Sequence, residues 1–145
     1  MKALITGASS GIGLDMARYL ATMNCELVLV ARNKEKLEEL QEKLPTKTTI
    51  IVEDLSNEQR VKDLYVIAKK ENIDILINNA GLGDFGYLTD TDLNKDLELI
   101  NTNIKAVHIL TKSLVKDMEK RDTETYIMNV ASSFPRSDMK PNDIP

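Results

Sequence analysis

The sequence predicts a three-layer α/β fold on a parallel sheet, and two observations carry that prediction. Five short β-rich runs alternate with four longer stretches of helical periodicity, and each crossover helix returns the chain in the same direction. The strand runs are also nearly continuous in apolar residues, as in Leu27-Val28-Leu29-Val30-Ala31. That is the pattern of strands covered on both faces. A length of 145 residues suits one domain and leaves no room for a second.

Ala3–Thr6 reads as the first strand, ahead of a glycine turn and a helix near Gly11–Thr22 with Ile12, Met16, Leu20 and Met23 as its apolar stripe. Glu26–Ala31 is the second strand. Asn33 suits the N-cap of a helix running to about Leu44, with Leu37, Leu40 and Leu44 inward and Pro45 past its end. Thr48–Val52 is the third strand, and Ser56 or Asn57 caps a helix whose Val61, Leu64, Tyr65 and Ala68 fall at i, i+3, i+4 and i+7. Asp74–Ile77 is the fourth strand and runs into Asn78. A loop from Gly81 to about Thr91 holds Gly81, Gly83 and Gly86. The longest helix is expected over Asp92–Lys120, with Leu93, Leu97, Ile100, Ile104, Val107 and Leu114 along one side, and Thr125–Val130 is the fifth strand. The sum is a doubly wound sheet of Rossmann type over residues 1–133. Residues 134–145 hold Pro135, Pro141 and Pro145 and no periodicity, and are expected to be an irregular tail.

Composition narrows the function classes. Hydrophobic residues at 42% and charged residues at 29% are ordinary globular values, which excludes long disorder, collagen and low-complexity classes. Nineteen Lys plus Arg against 23 Asp plus Glu leave a net charge of −4, the wrong sign for a general nucleic-acid surface. No apolar run approaches the roughly 20 residues that span a bilayer. The first strand pattern starts at once, without space for a signal peptide. The single cysteine, Cys25, excludes an internal disulfide and a multi-cysteine metal site. The expectation is a soluble, cytoplasmic protein without metal, nucleic-acid or membrane partners.

The chemistry is concentrated at the strand ends. Thr6-Gly7-Ala8-Ser9-Ser10-Gly11-Ile12-Gly13 joins the first strand to its helix. Gly7 permits the turn, while Gly11 and Gly13 remove Cβ atoms where a pyrophosphate approaches backbone and where helix meets sheet. The helix N-terminus adds free N–H groups and the positive end of its dipole. A tight βα turn without a ligand would also use glycines, but the strand–turn–helix context favours nucleotide binding. The spacing Gly-x-x-x-Gly-x-Gly differs from the common Gly-x-Gly-x-x-Gly fingerprint.

With three further segments, this turn resembles the short-chain dehydrogenase/reductase family. Thr-Gly-x-x-x-Gly-Ile-Gly at the first βα junction is similar to that family's cofactor turn. Asn78-Asn79-Ala80-Gly81 follows the fourth strand, Asn103 lies within Ile100-Asn101-Thr102-Asn103-Ile104 of the long helix, and Asn129-Val130-Ala131-Ser132 ends the fifth strand. The four occur in the family's order and cover residues 1–133. The resemblance implies a nicotinamide dinucleotide cofactor held by Gly7, Ser9, Ser10, Gly11, Ile12, Gly13, Asp54, Leu55, Asn79, Ala80 and Gly81. It also implies an oxidoreductase that interconverts carbonyl and hydroxyl groups of a small substrate, with Ser132 hydrogen-bonded to the substrate carbonyl, or with Ser133 in that role by a slip of one. Asn103 would hold a water and distort its helix, unless it is a helix Asn facing solvent. Asp54 would contact the adenine, with an ordinary loop or cap role as its alternative. Asn78 is expected to bridge adjacent strand ends, because its amide both donates and accepts.

Cofactor choice falls where the second strand ends. An acidic residue there would bind the ribose hydroxyls of NAD; Ala31 and then Arg32 stand in its place. A guanidinium holds a 2′-phosphate bidentately, so NADP is favoured over NAD. The alternative is a solvated arginine beginning a helix, and Ser10 stands where some NADP-preferring members carry a second basic residue. His108, the sole histidine, is assigned to solvent or packing.

The family's Tyr-x-x-x-Lys, which moves the proton and binds the nicotinamide ribose, does not follow Ser132; Tyr19, Tyr65, Tyr87 and Tyr126 all precede it. The expectation is therefore a truncated enzyme, inactive as given, with a non-catalytic nucleotide-binding or interaction module as the alternative. An open sheet edge and the long helix lead to an expected homo-oligomer.

Overall fold

The computed structural model describes residues 1–84, 86–87 and 89–131. Five parallel strands form one sheet in the order β3-β2-β1-β4-β5. They are β1 (Lys2–Thr6), β2 (Glu26–Ala31), β3 (Thr48–Val52), β4 (Ile75–Asn78) and β5 (Tyr126–Asn129). The order reverses between β1 and β4, so the C-terminal ends of those two strands open a crevice, as expected of a Rossmann-type sheet.

Helices α1 (Gly11–Thr22) and α2 (Lys34–Lys43) cover one face, where they pack with Ile5, Leu27, Leu29 and Ile77. On the other face α3 (Glu58–Lys70) and α5 (Val107–Met118) pack with Leu4, Val28, Val30 and Leu76. Each capped helix begins where a short polar side chain accepts backbone N–H groups. Asn33 accepts from Lys36, Asn57 from Gln59 and Arg60, and Asp92 from Asn94 and Lys95. Asn57 rather than Ser56 is therefore the cap of α3. Beneath the sheet, the Tyr65 hydroxyl donates to Asp117 across 2.7 Å and clasps α3 to α5. That bond above all, with Lys69 and Lys120 nearby, holds the Asp117 carboxyl below its ordinary range and raises the Tyr65 hydroxyl.

Two apolar stripes differ from the sequence expectation. On α1 the buried positions are Gly13, Ala17 and Ala21, with Ile12 and Met23 exposed. Small residues at i, i+4 and i+8 let the helix lie close on the sheet, and the larger apolar side chains flank that line. The long helix is three segments: α4 (Leu93–Ile100), a π-helical segment Asn101–Ala106, and α5. Its buried line is Thr102, Ala106, Leu110, Leu114 and Met118, whereas Leu93, Leu97, Ile100 and Ile104 are exposed. A π insertion rotates the turns after it relative to the turns before it. The expected single side therefore splits into an outer stripe that ends at Ile104 and a core stripe that starts at Thr102, both within the insertion. All four residues of β5 are exposed. Residues 134–145, the expected tail, lie outside the described residues. Among the described residues no helix is long and apolar enough to cross a membrane.

Candidate functional site

The glycine turn is held by hydrogen bonds from the next crossover. Thr6 is buried; its hydroxyl accepts the N–H groups of Asn79 and Ala80, both at 3.0 Å, and donates to the carbonyl of Ile77. The Asn79 amide donates to the carbonyls of Thr6 and Gly7, at 3.0 and 3.2 Å. The side chain of Asn79 is thus spent on fixing the turn, and its neighbours Ala80 and Gly81 line the crevice beside it. Gly7 has φ +68, and a Cβ on it would lie 2.8 Å from the Cα of Ala80. Gly11 has φ +54 and open space around it.

These constraints leave the N-terminus of α1 uncommitted. Ser10 makes no side-chain capping bond, and the first turn carries no acidic residue. Its N–H groups and dipole are therefore available to an anion. The crevice has a volume of about 930 Å³, and Gly7, Ser9, Ser10 and Ile12 line its middle, at the N-terminus of α1. Arg32, Asp54 and Leu55 line the end over β2 and β3. Arg32 is exposed and pairs with no carboxylate among the described residues. Asp54 accepts the Ser56 N–H on one carboxylate oxygen at 3.0 Å, a turn-closing role, and also lines the crevice. Leu55 is buried in the α3–α5 core while lining the same wall. An extended dinucleotide fits this order of groups: open helix N-terminus and glycines in the middle, a free guanidinium at one end.

At the other end the polar groups are buried. Asn78 bridges strand ends as expected: its amide donates to Asn129 on β5 at 2.8 Å, and also to the Thr111 hydroxyl on α5 at 3.0 Å. Its carbonyl oxygen, and the hydroxyl of Thr102, are buried without a partner among the described residues, and both residues line the crevice. Two orphaned buried polar atoms in one wall are a place for ordered water or a ligand group. Asn103 makes a contact that its expected water-holding role did not include. Its side-chain amide clamps Leu82 in both directions, accepting the N–H and donating to the carbonyl, each at 2.8 Å. The distortion expected around it is present as the π segment, and the clamp fixes the loop after β4 to the long helix.

Thr111 lies outside the sequence motifs, and Thr6, Thr102 and Asn129 lie within them without an assigned role. Threonine is common in strands and helices alike, and only the fold brings these four to one end of the sheet. Ser132 and Ser133 lie outside the described residues. Tyr65 and Lys69 do have the Tyr-x-x-x-Lys spacing, but on α3, where Tyr65 is bonded to Asp117 and neither residue lines the crevice.

Comparison with known proteins agrees with this geometry. The family model described as short chain dehydrogenase matches residues 1–140. An uncharacterized oxidoreductase of Staphylococcus epidermidis is 32% identical over 133 residues, which is 90% of this chain and 57% of the relative. A 3-oxoacyl-(acyl-carrier-protein) reductase of Rickettsia prowazekii is 38% identical over 133 residues, 89% of this chain and 52% of the relative. The chain therefore spans about half the length of the curated relatives it matches. A metagenomic short-chain oxidoreductase solved in complex with NADP superposes with a TM-score of 0.86 at 29% identity, over 97% of this chain and 66% of that one. A short-chain dehydrogenase of Sphingobium yanoikuyae in complex with NADPH gives 0.83 at 29%, over 90% and 53%. The five-strand sheet and its crossovers thus recur within longer enzymes, and this chain belongs to the short-chain dehydrogenase family.

Proposed function

We propose that residues 1–133 form an NADP(H)-binding domain, the cofactor-holding part of an oxidoreductase interconverting carbonyl and hydroxyl groups of a small substrate. The observation that carries this reading is that the uncommitted α1 N-terminus and the Arg32 guanidinium, which pairs with no carboxylate among the described residues, line one crevice. The NADP and NADPH complexes among similar structures support it. When bound, the nicotinamide supplies the hydride of such a reaction. The chain's own part is to receive the phosphates on the N–H groups of α1, to seat the adenine against Asp54 and Leu55, and to hold Arg32 on the 2′-phosphate. Ser132 then hydrogen-bonds the substrate oxygen.

Titration calorimetry is expected to show tighter binding of NADPH than of NADH, and Arg32→Ala to remove most of that difference. One phosphate–guanidinium interaction is worth roughly 1.5–3 kcal/mol. Equal affinities for the two nucleotides in the unaltered chain would end the Arg32 assignment.

A second reading, a nucleotide-binding or interaction module without catalysis, is favoured by the use of Tyr65 in the α3–α5 clasp, away from the crevice. Both readings include self-association. The exposed stripe of Leu93, Leu97, Ile100 and Ile104, and the exposed Tyr126, Ile127 and Met128 of β5, present apolar surface of the kind that pairs with a second copy. Light scattering at micromolar concentration should give a dimer or larger species; a monodisperse monomer would contradict it.

A further inference from the structure

One acidic side chain in the crevice wall opposes the proposed ligand. Glu53 directly follows β3, and its N–H donates to the carbonyl of Ala31 across 3.1 Å, which sets it beside the end of β2 where Arg32 stands. Glu53 and Arg32 both line the crevice. The Glu53 side chain is only 11% exposed, so water screens its charge weakly. A carboxylate at this place repels a 2′-phosphate and attracts ribose hydroxyls, a preference opposite to that of Arg32. Its ion-pair partner is Arg60, whose Nη1 lies 3.6 Å from the Glu53 Oε1. Arg60 is held in the first turn of α3, where its backbone N–H donates to the Asn57 cap at 3.2 Å. The separation from Glu53 is too long for a hydrogen bond, so the pair acts through charge.

Resting on the NADP(H) reading above, we propose that Arg60 is a specificity-determining residue: by neutralising Glu53 it lets the crevice accept an adenosine 2′-phosphate, and the Glu53–Arg60 pair sets the preference for NADP(H) over NAD(H). Arg60 itself is 60% exposed, and its effect is electrostatic. An uncompensated charge in the wall of a partly screened crevice is worth about a fivefold change in the affinity for a like-charged group, and that change shrinks at about 1 M salt.

The test is the ratio of NADPH to NADH dissociation constants, measured by calorimetry for the unaltered chain, Arg60→Ala, Arg60→Lys, Glu53→Gln and the Glu53→Gln/Arg60→Ala double variant. A ratio cancels any loss of folded protein common to both titrations. Arg60→Ala should weaken the NADPH preference about fivefold, Arg60→Lys should retain it, and Glu53→Gln should keep or strengthen it. In the Glu53→Gln background, Arg60→Ala should change the ratio by less than about twofold. An unchanged ratio in Arg60→Ala overturns the proposal. So does an equal loss in both backgrounds, because Arg60 would then touch the phosphate itself. If the unaltered chain binds neither nucleotide, the NADP(H) reading falls and this inference with it. An Arg32-dependent preference with Arg60 silent overturns the inference alone.

Discussion

The 145-residue chain is expected to show no measurable oxidation of NADPH with any member of a panel of ketones and aldehydes. Carbonyl reduction leaves an oxygen that must gain a proton as it forms. Ser132 can hold that oxygen, but a serine hydroxyl is too weak an acid to supply the proton near neutral pH. General acid catalysis contributes about 10²–10⁴-fold. A nicotinamide ribose without its lysine is positioned less well, and misplacing the reacting carbon by about 1 Å costs a further 10²-fold. The four tyrosines offer no replacement from within residues 1–131. Tyr65, the one with Lys four residues on, donates to Asp117 away from the crevice, and that bond raises its pKa, so its hydroxyl is the poorer acid. Tyr126 is likewise raised by its bond to Glu124. The measurement is nicotinamide absorbance at saturating cofactor. Robust turnover abolished by Ser132→Ala would mean that another acid serves the site, and the expectation would fail.

The strands and helix starts are legible in the sequence because each has a local cause. The glycine turn, the near-continuous apolar run from Leu27 to Ala31 and the Asn33 and Asp92 caps specify their structure within a few residues. The site is legible as a family pattern, and most of the residues in that pattern line one crevice. What the pattern does not supply is the partners. Asn79 reads from sequence as a cofactor contact, yet its amide is committed to the Thr6 and Gly7 carbonyls. Asn103 reads as a water holder, and the structure adds a clamp on Leu82. These bonds join residues 21 or more positions apart, and no local spacing encodes them. The long helix departs for a different reason. Its apolar positions before Lys105 fit one stripe with those after it only if the helix is regular, and the π segment breaks that phase.

Gly13→Ala should be strongly damaging through steric overlap alone. Its φ is ordinary, so backbone strain is not the issue; space is. A Cβ on Gly13 would lie closer than 3.0 Å to the Gly7 carbonyl oxygen and to the Asn79 amide nitrogen, and 3.0 Å from the Gly7 carbonyl carbon. The obstructing atoms are backbone and a side chain already locked by two hydrogen bonds, so neither yields cheaply. Overpacking of this kind costs about 1–3 kcal/mol, and rigid neighbours place it at the upper end. For a chain of this size about 3 kcal/mol lowers the Tm by roughly 10 °C. Relief requires moving Asn79, which loosens Gly7 and the phosphate turn together, so NADPH binding should fall by about 100-fold or more. Gly11→Ala is the informative contrast. That Cβ would meet no atom within 4 Å, and its cost is the left-handed backbone alone, about 1–2 kcal/mol. Urea unfolding and NADPH titration of both variants separate the two causes. Gly13→Ala within about 0.5 kcal/mol of the unaltered chain would mean that the turn repacks freely, and that the Asn79 lock does not fix the phosphate site.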